Sequence, residues 1–391
     1  MTKQTDARTL IAGRGVVEPF RVMKMLDLVH RRRAAGQETI MLCAGQPSTG
    51  APEAVLSAAE TALRDSPLGY TEVVGDRGLR EIVAHWHSRT YGVETGPDNV
   101  VITTGSSGGF VAAFLATLEI GDTVALARPG YPAYRNILKS LGVGVVDLPC
   151  GAETNFQPTA AMLEALPEPP KAVLVTSPGN PSGTIIDPGE IEKIAQWCDA
   201  HGAVLISDED YHGLSFGKPT VTARQFSDNA IVVGTLSKYF SMTGWRVGWL
   251  ILPDALVETV ENLQASHSLC APAISQIAGR AAFSPEATEE LDGHLERYRE
   301  TRRVLLDALP GIGLDTFAEP DGGLYLWVDV SSVTEDSEAW ASELVDAIGV
   351  ALAPGVDFDP VDGHSWVRLS LCGPAEEAAE AVRRLGQYLG R

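Results

Sequence analysis

Chemistry enters this sequence at four polar clusters. A lysine closes Thr235-Leu236-Ser237-Lys238, just after an apolar run, and an arginine follows eight residues later in Thr243-Gly244-Trp245-Arg246-Val247-Gly248. An amine beside a guanidinium offers a nucleophile next to an anion ligand, although a lone lysine is more simply a surface residue. In residues 177–184, Ser-Pro-Gly-Asn-Pro-Ser-Gly-Thr, two prolines and two glycines hold a rigid backbone that presents the Asn180 amide in one direction. Ser207-Asp208-Glu209-Asp210-Tyr211 ends an apolar run on three acids, which suits a carboxylate with a cationic partner, a metal site or a solvated strand end. Thr104-Gly105-Ser106-Ser107-Gly108-Gly109 follows another apolar run and opens a helix, where backbone N–H groups and hydroxyls form an anion site or simply a tight connection.

These clusters sit at the ends of short β-branched runs. Runs at 100–104, 122–127, 143–148, 172–176 and 204–207 alternate with helical patterns, such as those at 110–118 and 188–200. That rhythm predicts an α/β fold with a largely parallel sheet covered by helices on both faces, and ligands gather outside the carboxyl ends of such strands. Two further runs, 231–233 and 247–252, leave no room between them for a crossover helix, so the seven-stranded sheet is expected to be mixed. Helical patterns follow at 255–267, 271–283 and 286–309. The tail, with strands expected at 323–330, 350–353 and 366–371 and helices at 337–348 and 375–389, reads as a smaller α+β unit.

Composition narrows the partners. The chain has 391 residues, 45% hydrophobic and 21% charged, a length that suits two domains. Its formal net charge of −21 would repel nucleic acid and anionic membrane surfaces, so neither is expected as a partner. Residues 1–40 depart from this, with eight basic and four acidic side chains giving a local balance of +4. The five cysteines are scattered, with no C-x-x-C pair, which argues against disulfides and against a metal site. No signal peptide is expected at the start and no apolar run approaches the ~18 residues of a membrane span, so a cytoplasmic location is expected.

Taken together, S-P-G-N-P-S-G-T, D-E-x-Y, S-K-x-x-x-M-T-G-W-R-x-G and P-x-G-G-x-Y-L-W occur in an order and spacing that resemble the class I/II aminotransferases, pyridoxal 5′-phosphate (PLP) enzymes of fold type I. The resemblance runs from about Pro19 to the C-terminus. It implies a large PLP-binding domain of residues 46–285 and a small domain built from 1–45 together with 286–391. It implies that Lys238 forms the Schiff base and shuttles the proton, that Asp208 pairs with the pyridine nitrogen, and that Tyr211 and Asn180 hydrogen-bond the ring oxygen. Arg246, Ser106, Ser107 and Thr235 match phosphate ligands, and Tyr131 matches the aromatic that stacks on the ring. Tyr70 matches a tyrosine reaching the neighbouring subunit's phosphate, which implies a homodimer. Arg368 matches the fork for the substrate carboxylate, a geometry lysine does not reproduce, with the Gly45 N–H beside it and Asn180 close by.

The expected reaction is ping-pong transfer of an amino group from an L-amino acid to a 2-oxo acid, with no metal. A PLP-dependent lyase or decarboxylase, or a PLP-binding regulator without activity, would keep much of the same set. A nicotinamide dehydrogenase would need a G-x-G-x-x-G turn, which residues 104–109 lack. Two features stand outside the pattern: Asp359 replaces a frequent glycine in Pro354-Gly355-Val356-Asp357-Phe358-Asp359, leaving that loop's conformation open, and His212 is read as a neutral residue at a strand end. The basic first segment is expected to dock on a partner subunit.

Overall fold

The computed structural model describes residues 10–391; the basic positions Lys3 and Arg8 lie outside the described residues. The strands are β1 Ile40–Met41, β2 Val100–Thr104, β3 Thr123–Arg128, β4 Gly144–Pro149, β5 Ala172–Thr176, β6 Val204–Asp208, β7 Ile231–Thr235, β8 Val247–Ile251, β9 Phe317–Ala318, β10 Tyr325–Asp329, β11 Val350–Ala351, β12 Ala353–Pro354 and β13 Trp366–Ser370. The helices are α1 Arg21–Ala34, α2 Glu53–Asp65, α3 Arg77–Tyr91, α4 Gly105–Thr117, α5 Pro132–Leu141, α6 Ala160–Glu164, α7 Pro188–His201, α8 Asp254–His267, α9 Ala273–Ala281, α10 Pro285–Ala308, α11 Ser337–Ile348 and α12 Ala375–Tyr388.

A seven-stranded sheet in the order β2-β8-β7-β6-β5-β3-β4 forms the centre. Alternation along its strands sends neighbouring residues to opposite faces, and both faces are buried, which is why the strands read as nearly continuous apolar runs. Leu174, Ile206 and Val233 pack with α4, α5 and α8 side chains such as Phe114, Leu138 and Val260. Val173, Val175 and Leu205 pack against Ile191, Ile194 and Trp197 of α7 on the other face. Only β8 runs against its neighbours, antiparallel to both β2 and β7. The mixed direction expected from the short gap before residue 247 is therefore present. Its consequence is local: the start of β8, with Arg246 just before it, lies at the edge where the parallel strands end.

A second, four-stranded antiparallel sheet, β12-β13-β10-β9, is built from the tail. Leu326, Val328, Val367 and Leu369 bury one face against α10, the turn that follows it and α12 through Leu305, Leu309, Val382 and Leu385. Trp327 and Ala353 meet Met25 and Val29 of α1 on the other. The early chain joins this tail directly, because β1 pairs in parallel with β11. The single strand expected at 350–353 is divided at Leu352, its two halves pairing with β1 and β13. Helix α4 starts at Gly105 and not at Phe110, because the weak helix formers of the Gly/Ser turn are themselves its first turn.

Candidate active site

Five of the connections leaving the carboxyl edge of the large sheet converge on a cavity of about 530 Å³. After β2 comes the N-terminus of α4, with Ser106 and Ser107 on the wall; after β3, Tyr131; after β5, Asn180; after β6, Asp208, Asp210 and Tyr211; after β7, Ser237 and Lys238. Arg246 joins them because β8 runs the other way. The opposite wall carries Gly45, Tyr325, Phe358 and Arg368, and α1 closes the mouth with Val22, Met23 and Leu26.

Lys238 Nζ donates to the Gly45 carbonyl at 2.8 Å, and the Tyr325 hydroxyl donates to the same oxygen at 3.1 Å. The sequence reading assigned Gly45 its N–H; the structure adds its carbonyl as the lysine's rest. Tyr211 is buried, with its hydroxyl 3.3 Å from Asn180 Nδ2 and 3.2 Å from the Tyr325 hydroxyl. Burial and then Tyr325 push its phenol well above the usual range.

Asp208, only 2% exposed, accepts from the Tyr134 hydroxyl and from the Asp210 N–H at 3.0 Å. Burial pushes its carboxyl up to about 6, with the Tyr134 and Asp210 hydrogen bonds and Lys238 pulling the other way. The anion at the bottom of the cavity is thus held by specific donors and calls for a cation above it.

At the opposite end, Arg246 holds a left-handed backbone, φ 54°, and its Nη1 donates to the Thr243 carbonyl at 2.9 Å. Two glycines let α4 come this close. A Cβ on Gly105 would stand 2.3 Å from Arg246 Nη2, and one on Gly248 would stand 2.5 Å from the Ser106 amide nitrogen. The helix N-terminus, Ser107 and the guanidinium together form an anion cradle.

Arg368 occupies β13 between β10 and β12. Its guanidinium lies between the rings of Tyr325 and Phe358, 4.0 and 4.5 Å from their centroids. Nη1 donates to Asn180 Oδ1 at 2.9 Å and Nη2 to the Cys43 carbonyl at 3.2 Å, while the buried Nε has no partner among the described residues. A buried donor left over on a fixed cation fits a planar carboxylate. Cradle, anion, amine and fork are the groups that phosphate, pyridine nitrogen, aldehyde carbon and substrate carboxylate call for, so the residues present fit PLP and an amino acid.

A profile of the aminotransferase class I and II family matches residues 37–385. The chain belongs to this family. It is 50% identical over 388 residues to a valine–pyruvate aminotransferase of Mycobacterium tuberculosis, covering 98% of this chain and 99% of that one. A crystal structure of an aminotransferase from Mycobacterium tuberculosis superposes with a TM-score of 0.95 at 49% identity, covering 97% of this chain and 99% of that one. A Thermus thermophilus aspartate aminotransferase superposes with a TM-score of 0.90 at 27% identity, covering 96% and 99%. The chain is a PLP-dependent aminotransferase with the aspartate-aminotransferase type of fold, passing an amino group to a 2-oxo acid.

Two of the residues read from the sequence stand apart from this aminotransferase's cavity. Thr235 is behind the wall: its hydroxyl lies 3.1 Å from the Val247 carbonyl and 2.9 Å from Ser237 Oγ, and Ser237 is the one that lines the cavity. Tyr70 is 85% exposed. His212 is buried outside the cavity, with Nδ1 2.6 Å from the Tyr91 hydroxyl, and burial lowers its imidazole to about 3. Asp359 finds its partner in Arg128 at 2.7 Å, so the replaced glycine becomes an ion pair near the loop of Tyr131. Among the described residues no group of three or more His, Cys, Asp or Glu side chains is placed to hold a metal.

Sequence reasoning missed Tyr134, Asp210, Ser237, Tyr325 and the α1 wall. Tyr134 was signalled only by its spacing of three from Tyr131, and Tyr325 by its place in P-x-G-G-x-Y-L-W. The apolar residues of α1 on the wall, Val22, Met23 and Leu26, carry no chemical signal.

Proposed function

We propose that the enzyme transfers the amino group of an apolar L-amino acid of about valine's size to pyruvate. The observation that carries this is the wall beyond Arg368, built from Phe20, Val22, Met23, Leu26, Met41 and Ile137. Such a surface favours an aliphatic side chain at roughly 0.8 kcal/mol per buried methylene and opposes a distal carboxylate. Arg33, the remaining arginine on the lining, is exposed and donates to the Thr39 carbonyl at 3.2 Å. The name of the valine–pyruvate relative agrees with this reading.

Within it, Arg368 and Asn180 hold the substrate carboxylate and fix the face that Cα turns toward Lys238. Lys238 Nζ, resting on the Gly45 carbonyl, takes the proton from Cα and returns it on the other side of the transfer. Bound PLP supplies the electron sink that makes this proton removable. Asp208 would keep a positive charge at the pyridine nitrogen, Tyr211 and Asn180 would hold the ring oxygen, Tyr131 would pack on the ring, and Arg246, Ser106 and Ser107 would hold the phosphate. Thr235 acts by holding Ser237.

Residues 46–285 form the PLP-binding domain and 1–45 with 286–391 the domain that closes on it, as the β1–β11 pairing supports. The enzyme works as a homodimer, with exposed Tyr70 serving the second copy's phosphate, and the arm before α1 packing on that copy through Leu10, Ile11 and Val16, all exposed here. Five free cysteines suit the cytoplasm. A steady-state panel with pyruvate as acceptor tests the specificity: valine and its neighbours in size should exceed aspartate and glutamate in kcat/KM by at least tenfold. A preference for the acidic donors would overturn it and point to Arg33.

A further inference from the structure

Asp210 puts a carboxyl where the cavity is otherwise built for an anion. It lines the wall near Ser106, Ser107 and Arg246 and is 8% exposed. Oδ2 lies 2.5 Å from Ser106 Oγ, whereas Oδ1 is buried without a partner among the described residues. An ionised carboxylate would hold the one hydroxyl proton of Ser106 and leave only lone pairs and like charge for an incoming phosphate. A neutral carboxyl reverses the bond. It donates to Ser106 Oγ and frees the serine hydrogen to donate onward.

The groups that face Asp210 are Asp208 at the end of β6, Tyr131 and Tyr134 around the start of α5, and Lys238 and Arg246 across the cavity. The Ser106 hydrogen bond and then the two cations favour ionisation. Burial, the largest influence, and Asp208 oppose it and push the carboxyl well above its usual range.

We infer that Asp210 is a positioning residue that carries a proton when the cofactor phosphate is bound, donating it to Ser106 Oγ so that the Ser106 hydroxyl donates to the phosphate. The inference rests on the phosphate site proposed above at Ser106 and Arg246. The proton comes from solvent and returns there on release; no covalent bond to the phosphate forms or breaks. Binding then consumes a proton, and affinity falls by up to about tenfold per pH unit once the free carboxyl ionises.

The test is reloading of the full-length cofactor-free chain with PLP from pH 6 to 9. Affinity is read by fluorescence, and proton uptake by calorimetry in two buffers of different ionisation enthalpy. Wild type should take up close to one proton more per site than Asp210→Asn at the alkaline end; the titrations of Lys238 and of the phosphate itself are common to both and cancel. The variant, whose amide donates to Ser106 at every pH, should bind at least as tightly as wild type at pH 9, and this gain should shrink in a Ser106→Ala background.

Equal proton uptake, or weaker binding by Asp210→Asn at every pH, overturns the inference. Arg246→Gln separates the two layers. If it leaves affinity unchanged, the phosphate site is misplaced and the inference falls with it; if it weakens binding tenfold or more while Asp210→Asn matches wild-type uptake, the inference alone fails.

Discussion

Replacing Arg368 with lysine keeps the charge and removes the fork. In the native site the guanidinium is fixed by hydrogen bonds to Asn180 Oδ1 and the Cys43 carbonyl, and by two aromatic faces within 4.5 Å. A charged hydrogen bond contributes about 1.5–3 kcal/mol and a stacked cation about 0.5–2 kcal/mol. An ammonium recovers one hydrogen bond and part of the cation contact, so about 3–4 kcal/mol of substrate positioning is lost. That corresponds to a fall of roughly 10²–10³ in kcat/KM for every amino acid donor, since each ~1.4 kcal/mol is tenfold. Stopped-flow half-reactions with valine measure it, with PLP absorbance as the control, because no phosphate contact is touched. A loss below fivefold, or a loss that tracks release of PLP, would refute the role of Arg368 as the carboxylate fork.

Tyr134→Phe removes a donor that helps to hold the Asp208 carboxyl down to about 6 against burial. The carboxyl should rise further, and because the anion is the working form, the acid limb of the kcat/KM profile should move up by about one pH unit. Gly105→Ala places a Cβ 2.3 Å from Arg246 Nη2 at a positive φ, so PLP affinity measured by fluorescence titration should drop at least tenfold in a folded protein. Glu209, buried outside the cavity near His212, is pushed by burial up to about 8. Its proton is held in the folded state and released on unfolding between about pH 4.5 and 8, so this contribution to stability is present below that range and lost as pH rises through it. Glu209→Gln should therefore flatten the decline of Tm from pH 5 to 8 and be the more stable protein at pH 8.

The parallel core of the fold was legible because strands buried on both faces read as apolar runs, and the antiparallel turn at β8 was legible from a gap too short for a helix. The first hundred residues were not, since α1 and α2 start without a capping side chain, although α1 lines the cavity. Residues with distinctive chemistry, such as Lys238, Asp208 and Arg368, announced themselves through sequence spacing. At Thr235 spacing gave position along the chain and not direction: its hydroxyl bonds to the Val247 carbonyl and Ser237, and Ser237 lines the cavity. Tyr134 and Asp210 stayed silent because their significance lies in what they touch, and those contacts join elements far apart in sequence.

The proposed function requires this chain to move an amino group from an apolar amino acid to a 2-oxo acid through Lys238. A single-turnover titration tests it: PLP-loaded protein is mixed with valine in the absence of any 2-oxo acid. The product should be one equivalent of the corresponding 2-oxo acid per site, with no ammonia or carbon dioxide and no further turnover until pyruvate is added. Lys238→Ala should stop before that product forms. Continuous release of ammonia or carbon dioxide without an acceptor, or an unimpaired first turnover in Lys238→Ala, would rule out amino transfer through Lys238.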